Sequence, residues 1–554
     1  MKLLDSRRLT GPNLLLDRAG AVLEVALYPE EAETVVRAWR EQARRLLDAV
    51  GWEDEEVASR IFPGGASLAV SAPIDGLYAA TEVNEAAWVA AAAGEAFDLL
   101  PVAERLRAEI AGEANPALIA LRDAAAEHGV AFLWDDHRAS VGLGTGSLTW
   151  PVEALPDPGS IDWSAVHDIP VLLVTGTNGK TTTVRLLASM VSAAGRVPGV
   201  TSTDRIVVGG EVIEEGDFSG PGGARTLLRD RRVEVAILET ARGGLLRRGL
   251  ALARADAALV INIAADHLGE FGVLDLSGIA EAKMIITRAV GPEGQVALNA
   301  DDPELVAAAG RVTAPLVWFS LDPENLLVRD HLAAGGEAVY LKDDNLILAR
   351  GGEETAVVPV REIPIAFGGA ARHNVANALA AVALAGALKL SSVEMAEGLR
   401  RVGTQPEDNP GRTNLIERDG VRILVDYAHN PHGLTALLGL ARSLPAERRL
   451  IVIGQAGDRS DNAIRELAGI AWSFQPDHVI VKEMKSLLRG RQAGEVPEIL
   501  EDELQRLGAA PEAVERAGSD LEAARMALEW ARPGDLLVLL VHTQRDEVMK
   551  MLRG

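Results

Sequence analysis

No cysteine occurs among the 554 residues, which excludes disulfides, thiolate metal ligands and a cysteine nucleophile. Aromatic side chains are scarce at 4%, so the cores must be built from Ala, Val and Leu. Basic residues are outnumbered, 55 Lys and Arg against 80 Asp and Glu, and a net charge of −25 excludes the broad cationic face that nucleic-acid phosphates require. The acidity suits a solvated surface and would also attract cationic substrates; composition does not separate the two. No segment approaches the roughly 20 uninterrupted apolar residues of a membrane span. The opening MKLLDSRRLTGPN has no long apolar stretch either. A cytoplasmic chain with no membrane and no nucleic-acid partner is therefore expected.

Against that background one segment stands out, VLLVTGTNGKTTTVRLL at Val171–Leu187. An apolar strand runs into a Gly-rich turn, Gly176-Thr177-Asn178-Gly179, and Lys180-Thr181-Thr182 open a helix. Backbone N–H groups of such a turn and of the first helical turn converge on one anion, and Lys180 adds a movable positive charge. Thr181 would hold Mg²⁺ through its hydroxyl. The spacing departs from the commonest phosphate loop, because Val174 stands where its first glycine belongs. That makes a generic nucleotide switch a poor match.

Length predicts about three domains. Residues 1–165 form a mixed region without strong strand–helix alternation, including an Ala-rich helical run from Thr81 to Leu106, and a Pro/Gly/Asp stretch at 151–159 closes it. From 166 to 408, short apolar strands (VLLVT, VAILET, ALVINIA, QVALNA) alternate with segments of helical period, which predicts a parallel sheet covered by helices on both faces. A second such series at 409–554 (RILVDYA, RLIVIGQAG, HVIVKE, DLLVLLVH) predicts another doubly wound α/β domain. Ligands on these sheets sit beyond the carboxyl ends of the strands. There the chain places Glu239-Thr240, Asp266-His267 and Asp301-Asp302, with Lys283 on a following helix. A carboxylate beside the phosphate loop can share the Mg²⁺ of Thr181, and Asp266-His267 offer ligands for a second ion.

Seven blocks in order, VTGTNGKTT, LETARGG, NIAADHLG with Lys283, LNADDP, ARHNVANALAA, PGRTN and VDYAHNPHGL, resemble the Mur ligases from about Ile169 to the C-terminus. Within that family ETARGGLLRRGL and KEMKSLLRGRQAGEV are most similar to the Mur-like part of cyanophycin synthetase, whose N-terminal domain RRLTGPN also resembles. The resemblance implies a central ATPase domain and a C-terminal Rossmann-like domain that closes over it, with a hinge near 405–412. It implies Thr181 and Glu239 on one Mg²⁺, and His267 with Lys283, as a carbamate, on the second. Asn299 and Asp302 would lie near the nucleotide, Asn374 and Asn377 at the base, and Arg412 and Asp426 at the phosphates and ribose.

The implied activity is an ATP-dependent ligase that activates a carboxylate as an acyl phosphate and joins it to an amino acid amine. Lys485, Arg489, Arg491 and Glu495 occupy the stretch where the family reads the incoming amino acid. The implied partners are that amino acid, arginine or another basic one, and a carboxylate-bearing, aspartate-containing peptide or polymer; a homo-oligomer is also implied. A glutamate-adding ligase and a noncatalytic ATP-binding scaffold are the alternatives. One departure bears on function: the ATP-grasp domain that cyanophycin synthetase carries between these two parts is missing, so one ligation at one ATP site is expected. The stretch GLYAATEVNEAAW keeps Glu82 and Glu85 but has no histidine, which argues against a hydrolase in the N-terminal region.

Overall fold

The computed structural model describes residues 2–93, 98–403, 405 and 408–553. The hinge expected at 405–412 therefore lies partly outside the described residues, at 406 and 407, and so do residues 94–97 of the Ala-rich run. That run contributes to two helices, Leu77–Ala93 and Leu99–Glu113, the second begun by Asp98, whose carboxylate accepts the N–H of Leu100.

The N-terminal region is α+β. Strands β1 (Lys2–Leu9), β2 (Gly20–Ala26), β3 (Val57–Phe62) and β4 (Gly65–Ser71) make an antiparallel sheet of order β1-β2-β4-β3. Helices Ala32–Val50 and Leu77–Ala93 pack on it. Trp39 is fully buried between them, and its indole N–H donates to Asn84 at 3.0 Å. The Asn84 amide in turn donates to the carbonyls of Ala21 and Leu68 on the sheet, so no polar group of this contact is orphaned. A small antiparallel sheet of β5 (Phe132–Trp134), β6 (Arg138–Val141) and β7 (Leu148–Pro151) follows.

The central sheet has eleven strands. They are β8 (Val171–Thr175), β9 (Pro198–Thr201), β10 (Arg205–Val208), β11 (Glu211–Glu215), β12 (Val235–Glu239), β13 (Ala255–Val260), β14 (Val290–Asn299), β15 (Leu316–Ser320), β16 (Glu337–Lys342), β17 (Asn345–Arg350) and β18 (Glu353–Pro359). Their order is β11-β10-β9-β12-β8-β13-β14-β15-β16-β17-β18. The run β9-β12-β8-β13-β14-β15-β16 is parallel, as the strand–helix alternation predicts. Both edges are antiparallel instead: tight turns with two residues of positive φ, Gly209-Gly210, Asp343-Asp344 and Gly351-Gly352, join β10 to β11, β16 to β17 and β17 to β18, and the short turn 202–204 joins β9 to β10.

Neighbouring side chains of the middle strands point to opposite faces, and both faces are buried. Val171 and Leu173 enter one core with Ala236, Leu238, Ala258 and Val260, while Leu172 and Val174 enter the other with Ile237 and Leu259. This is why these strands read as unbroken apolar runs. The Ala-rich helix Arg372–Ala385 covers the second core, buried along nearly its whole length.

The C-terminal sheet, β19 (Asn414–Arg418), β20 (Val421–Asp426), β21 (Arg449–Ile453), β22 (His478–Lys482), β23 (Val514–Ala517) and β24 (Leu536–Leu540), has the order β19-β20-β24-β21-β22-β23. Only β19 and β20 pair antiparallel. No described helix is long and apolar enough to cross a membrane.

The segment after β1 runs against the central domain. Thr10 N–H donates to Arg248 at 2.7 Å, and Leu250 N–H donates to Pro12 at 2.7 Å. A Cβ on Gly11 would lie 2.2 Å from the Leu250 carbonyl oxygen, whereas one on Gly112, in the helix Leu99–Glu113, would meet nothing within 4 Å. Gly11→Ala should therefore loosen this docking and cost about 1–3 kcal/mol. Gly112→Ala should be stabilising by about 0.5–1 kcal/mol. Thermal melting of the two variants checks both; equal melting temperatures would contradict the packing.

Candidate active site

Strand β8 is buried at every position and sits in the middle of the parallel run, so its end delivers the loop 176–179 to the centre of the sheet's carboxyl rim. Gly179 caps the helix Lys180–Ala193 at φ 86°, and a Cβ there would stand 2.2 Å from Asn377 Oδ1. Backbone conformation and close approach both demand glycine. Thr177 holds the loop to the next strand end, its hydroxyl donating to the Ala264 carbonyl at 3.2 Å and accepting the Ala264 N–H at 3.0 Å. Asn262 grips Asn178 through both its main-chain groups, at 2.9 and 3.1 Å.

Two lysines meet at this loop. Lys180 Nζ donates to the carbonyls of Gly176 and Thr177, both at 3.0 Å, and Lys283 Nζ, from the helix Leu276–Met284, donates to Gly176 at 2.8 Å. Burial pushes both amines below their ordinary range, Lys283 strongly, where the nearby Lys180 charge adds to the lowering. Thr181 Oγ1 donates to Glu239 Oε2 at 2.9 Å, and the other carboxylate oxygen, Glu239 Oε1, is buried with no hydrogen-bond partner. Burial raises the Glu239 carboxyl, opposed by Lys180. An orphaned carboxylate oxygen beside a threonine hydroxyl is a hard-oxygen donor pair that fits Mg²⁺.

His267 follows β13 in the left-handed region at φ 50°, and Phe271 in the same loop has φ 52°. Non-glycine residues hold such angles only where their surroundings fix them. The His267 ring lies 3.3 Å from Glu270, 3.5 Å from Asp458 and 2.8 Å from the Arg459 guanidinium. Arg459 also donates to Asp266 at 2.9 Å, while His429 lies 3.5 Å from the same carboxylate. Asp266 is held well below the usual carboxylate range: burial opposes this, and His429, His267 and Arg459 outweigh it. His267 and Lys283 line one cavity but share no hydrogen bond; the histidine faces the C-terminal domain and the lysine faces the loop.

The remaining residues expected from the sequence line the same cavity, of about 1410 Å³, and most have internal partners. Asn299 donates to Ile261, and Asp302 accepts from Ile263, Glu304 and Leu305, so both tie strand ends together. Asn374 donates to Ile365, and Asn377 donates to Asn374. Asp426 accepts from Thr413 and Ala428, and the Arg412 guanidinium lies 4.3 Å from the centre of the Tyr427 ring. Of the four residues expected to read the amino acid, Arg489 lines the cavity; Arg491 is spent on Asp461, Glu495 and two backbone carbonyls.

Sequence reasoning missed the polar joint to the C-terminal domain. Asn178 exchanges side-chain hydrogen bonds with Asn430 and lies 2.9 Å from His432. Asp204, after β9, takes Arg185 at 2.7 Å from the phosphate-loop helix and Arg545 at 2.8 Å from the last helix, with Arg412 at 4.0 Å. Asn409 bridges Arg185, Thr182 and the Arg412 carbonyl. Asn178, Arg412, Asn430 and His432 fall within sequence blocks already noted, but no block shows their pairing, because partners lie up to 341 positions away.

This arrangement has known counterparts. Residues 174–385 match the Mur ligase middle domain and residues 411–540 match the Mur ligase, glutamate ligase domain. These two parts of the chain belong to the Mur ligase family. Cyanophycin synthetase of Synechocystis sp. is 41% identical over 332 residues, 60% of this chain and 38% of that protein. The cyanophycin synthetase of Nostoc sp. is 37% identical over 373 residues, 67% of this chain and 41% of that protein. The chain thus spans about two fifths of the length of these relatives. The UDP-N-acetylmuramoyl-L-alanyl-D-glutamate–2,6-diaminopimelate ligase of Geobacter metallireducens is 29% identical over 67% of this chain and 73% of its own. E. coli FolC in complex with DHPP and ADP shares the fold, with a TM-score of 0.50 at 22% identity over 69% of this chain and 88% of that one.

The Asp204 joint gives a pH signature. Burial would raise this carboxyl, but Arg412, Arg185 and Arg545 prevail and hold it at about 2 against 3.8. A depressed carboxyl stabilises fully above the unfolded value and loses that contribution as pH falls from about 4 to 2, here about 2 kcal/mol. Asp204→Asn should remove that part of the acid dependence of thermal melting. Unchanged acid melting in the variant would contradict the network.

Proposed function

We propose that the chain is an ATP-dependent ligase that joins a carboxylate to an amino acid amine, releasing ADP and phosphate. The observation that carries this reading is the convergence of Lys180 and Lys283 on the Gly176 carbonyl, beside the unsatisfied oxygen of Glu239. Two buried amines and an open carboxylate gathered around one loop suit a metal-bound triphosphate. Thr181 and Glu239 would hold one Mg²⁺, and His267 with a carbamylated Lys283 a second. Bound there, the ions neutralise charge on the phosphate oxygens.

A carboxylate reacts poorly with an amine because oxide is a poor leaving group. Phosphorylating it makes phosphate the leaving group. Lys180 and the loop N–H groups would steady the transferred group, in line with the incoming carboxylate oxygen. The C-terminal domain, tied to the loop through Asn178, would exclude water from the activated acid. Lys283, buried and with no carboxylate partner among the described residues, is pushed toward the neutral amine, the form that adds to CO₂, which supports the carbamate.

For the donor, the likeness to cyanophycin synthetase favours arginine or another basic amino acid, and the acceptor would be an aspartate-containing peptide or polymer. Arg489 on the cavity lining favours a second reading, an acidic donor such as glutamate.

ADP release measured over pairs of aspartate peptides and amino acids tests the reading: turnover should require both partners. ATP hydrolysis indifferent to both, or ATP binding without turnover in every pair, would refute it. Lys180→Ala should lower joining by at least about a hundredfold. With ¹³C-bicarbonate, the native chain should show a carbamate carbonyl resonance that Lys283→Arg lacks.

A further inference from the structure

A volume of about 1410 Å³ exceeds the roughly 300–1,000 Å³ of a pocket for one small ligand, so the cavity has room beyond a nucleotide. Part of its lining plays no role in the chemistry described so far. The helix Arg242–Arg248 contributes Arg242, Arg247 and Arg248 to it. Arg242 is 7% exposed; its Nη2 donates to Glu270 at 2.8 Å, while Nη1 is buried with no hydrogen-bond partner. A buried guanidinium with an idle donor is costly unless something fills it. Arg247 is exposed, meets no carboxylate among the described residues, and lies 5.9 Å from the centre of the Phe271 ring. Arg248 donates to the carbonyl of Arg8, on β1, at 3.2 Å and has no carboxylate partner either. In a chain of net charge −25, acid is available to pair with surface arginines, as most others here are paired. Arg205, Arg225 and Arg449 also have a buried nitrogen without a partner among the described residues; Arg242, Arg247 and Arg248 differ in sharing one cavity wall. Solvated side chains would explain Arg247 and Arg248 alone; they do not explain Arg242 Nη1.

We propose that Arg242, Arg247 and Arg248 form a shelf that reads the acceptor, binding carboxylates of a polyanionic peptide other than the one that is activated. The inference rests on the ligase reading and adds the acceptor's class: a chain carrying several carboxylates. A single-carboxylate acceptor would leave the shelf empty. Guanidinium groups suit the task, since each offers paired donors that match a carboxylate's two oxygens. The shelf's position, where β1 of the N-terminal region meets the central domain, lets the rest of the acceptor run outward along that seam.

The test uses the full chain with Mg²⁺ and the non-hydrolysable AMPPNP, and a fluorescent tetra-aspartate peptide against the same peptide with all but one aspartate replaced by asparagine. The native chain should bind tetra-aspartate about tenfold more tightly. Arg247→Gln with Arg248→Gln should bring the two peptides within about twofold, and Arg247→Lys with Arg248→Lys should keep a preference. Both arginines are exposed, so the variants should melt with the native chain, and melting curves verify it. No binding of tetra-aspartate, equal binding of the two peptides by the native chain, or a preference that survives the double glutamine variant would overturn the proposal. Binding with AMPPNP needs no turnover, so the two readings fail separately. A preference for tetra-aspartate without ADP release under any amine sinks the ligase reading alone. ATP-driven joining with a preference indifferent to the glutamine variant sinks the shelf alone.

Discussion

The carbonyl oxygen of Gly176 accepts from two lysines at once, and that convergence constrains much of what surrounds it. Two ammonium groups brought this close in a desolvated loop repel each other, and burial drives both toward the neutral amine. An anion beside them would reverse the balance. The only way to hold such a pair ready is to fix each from a separate rigid element: Lys180 from the helix that follows β8, and Lys283 from the helix Leu276–Met284. The buried apolar strands beneath supply that rigidity, and Glu239, at the end of the adjacent β12, supplies the compensating charge. Its unsatisfied oxygen is a stability cost of the kind that functional sites carry.

The loop carrying His267 shows the same logic at larger scale, because all three regions of the chain hold it. From the N-terminal sheet, Arg60 donates to the carbonyl of Gly272 at 3.1 Å, and the Arg7 guanidinium lies 4.7 Å from the Phe271 ring centre. A Cβ on Gly272 would strike the Phe62 ring, so that contact admits no other residue. Arg459 of the C-terminal domain meets Asp266 and His267 from the other side. The positive φ angles of His267 and Phe271 persist because this loop is gripped from both sides.

What could be read in the sequence follows from how local its cause is. The phosphate loop was legible because strand, glycines, lysine and helix start lie within seventeen residues, and the parallel run was legible because strands buried on both faces must be apolar throughout. The antiparallel edges had a signal too, in Gly209-Gly210, Asp343-Asp344 and Gly351-Gly352, but turn residues between short strands are easily absorbed into loops. Asn299, Asp302, Asn374 and Asn377 were visible as motif residues, yet their side chains serve strand ends and helix starts here, which spacing does not distinguish from nucleotide contact. The Asp204 cluster, the Asn178–Asn430 exchange and the arginine shelf could not be read at all, since each depends on which distant segments the fold brings together.

The joint between the central and C-terminal domains differs in kind from the domains it links. The C-terminal sheet has its own apolar cores on its two faces, to which the central domain adds little beyond Ala371 and its neighbours Phe367 and Ala370. Across the joint the contacts are instead hydrogen bonds and ion pairs: Asn178 with Asn430, Arg459 with Asp266, and Asp204 with Arg545. Separating apolar cores would expose surface at a cost proportional to area. Opening a polar joint exchanges each bond for one to water, so its net cost is small. Separating the two domains at this joint therefore costs less than breaking either sheet that aims the loops. The same polarity would couple the joint to the charge of whatever the cavity holds, since Lys180, Asn178 and Arg412 share its lining.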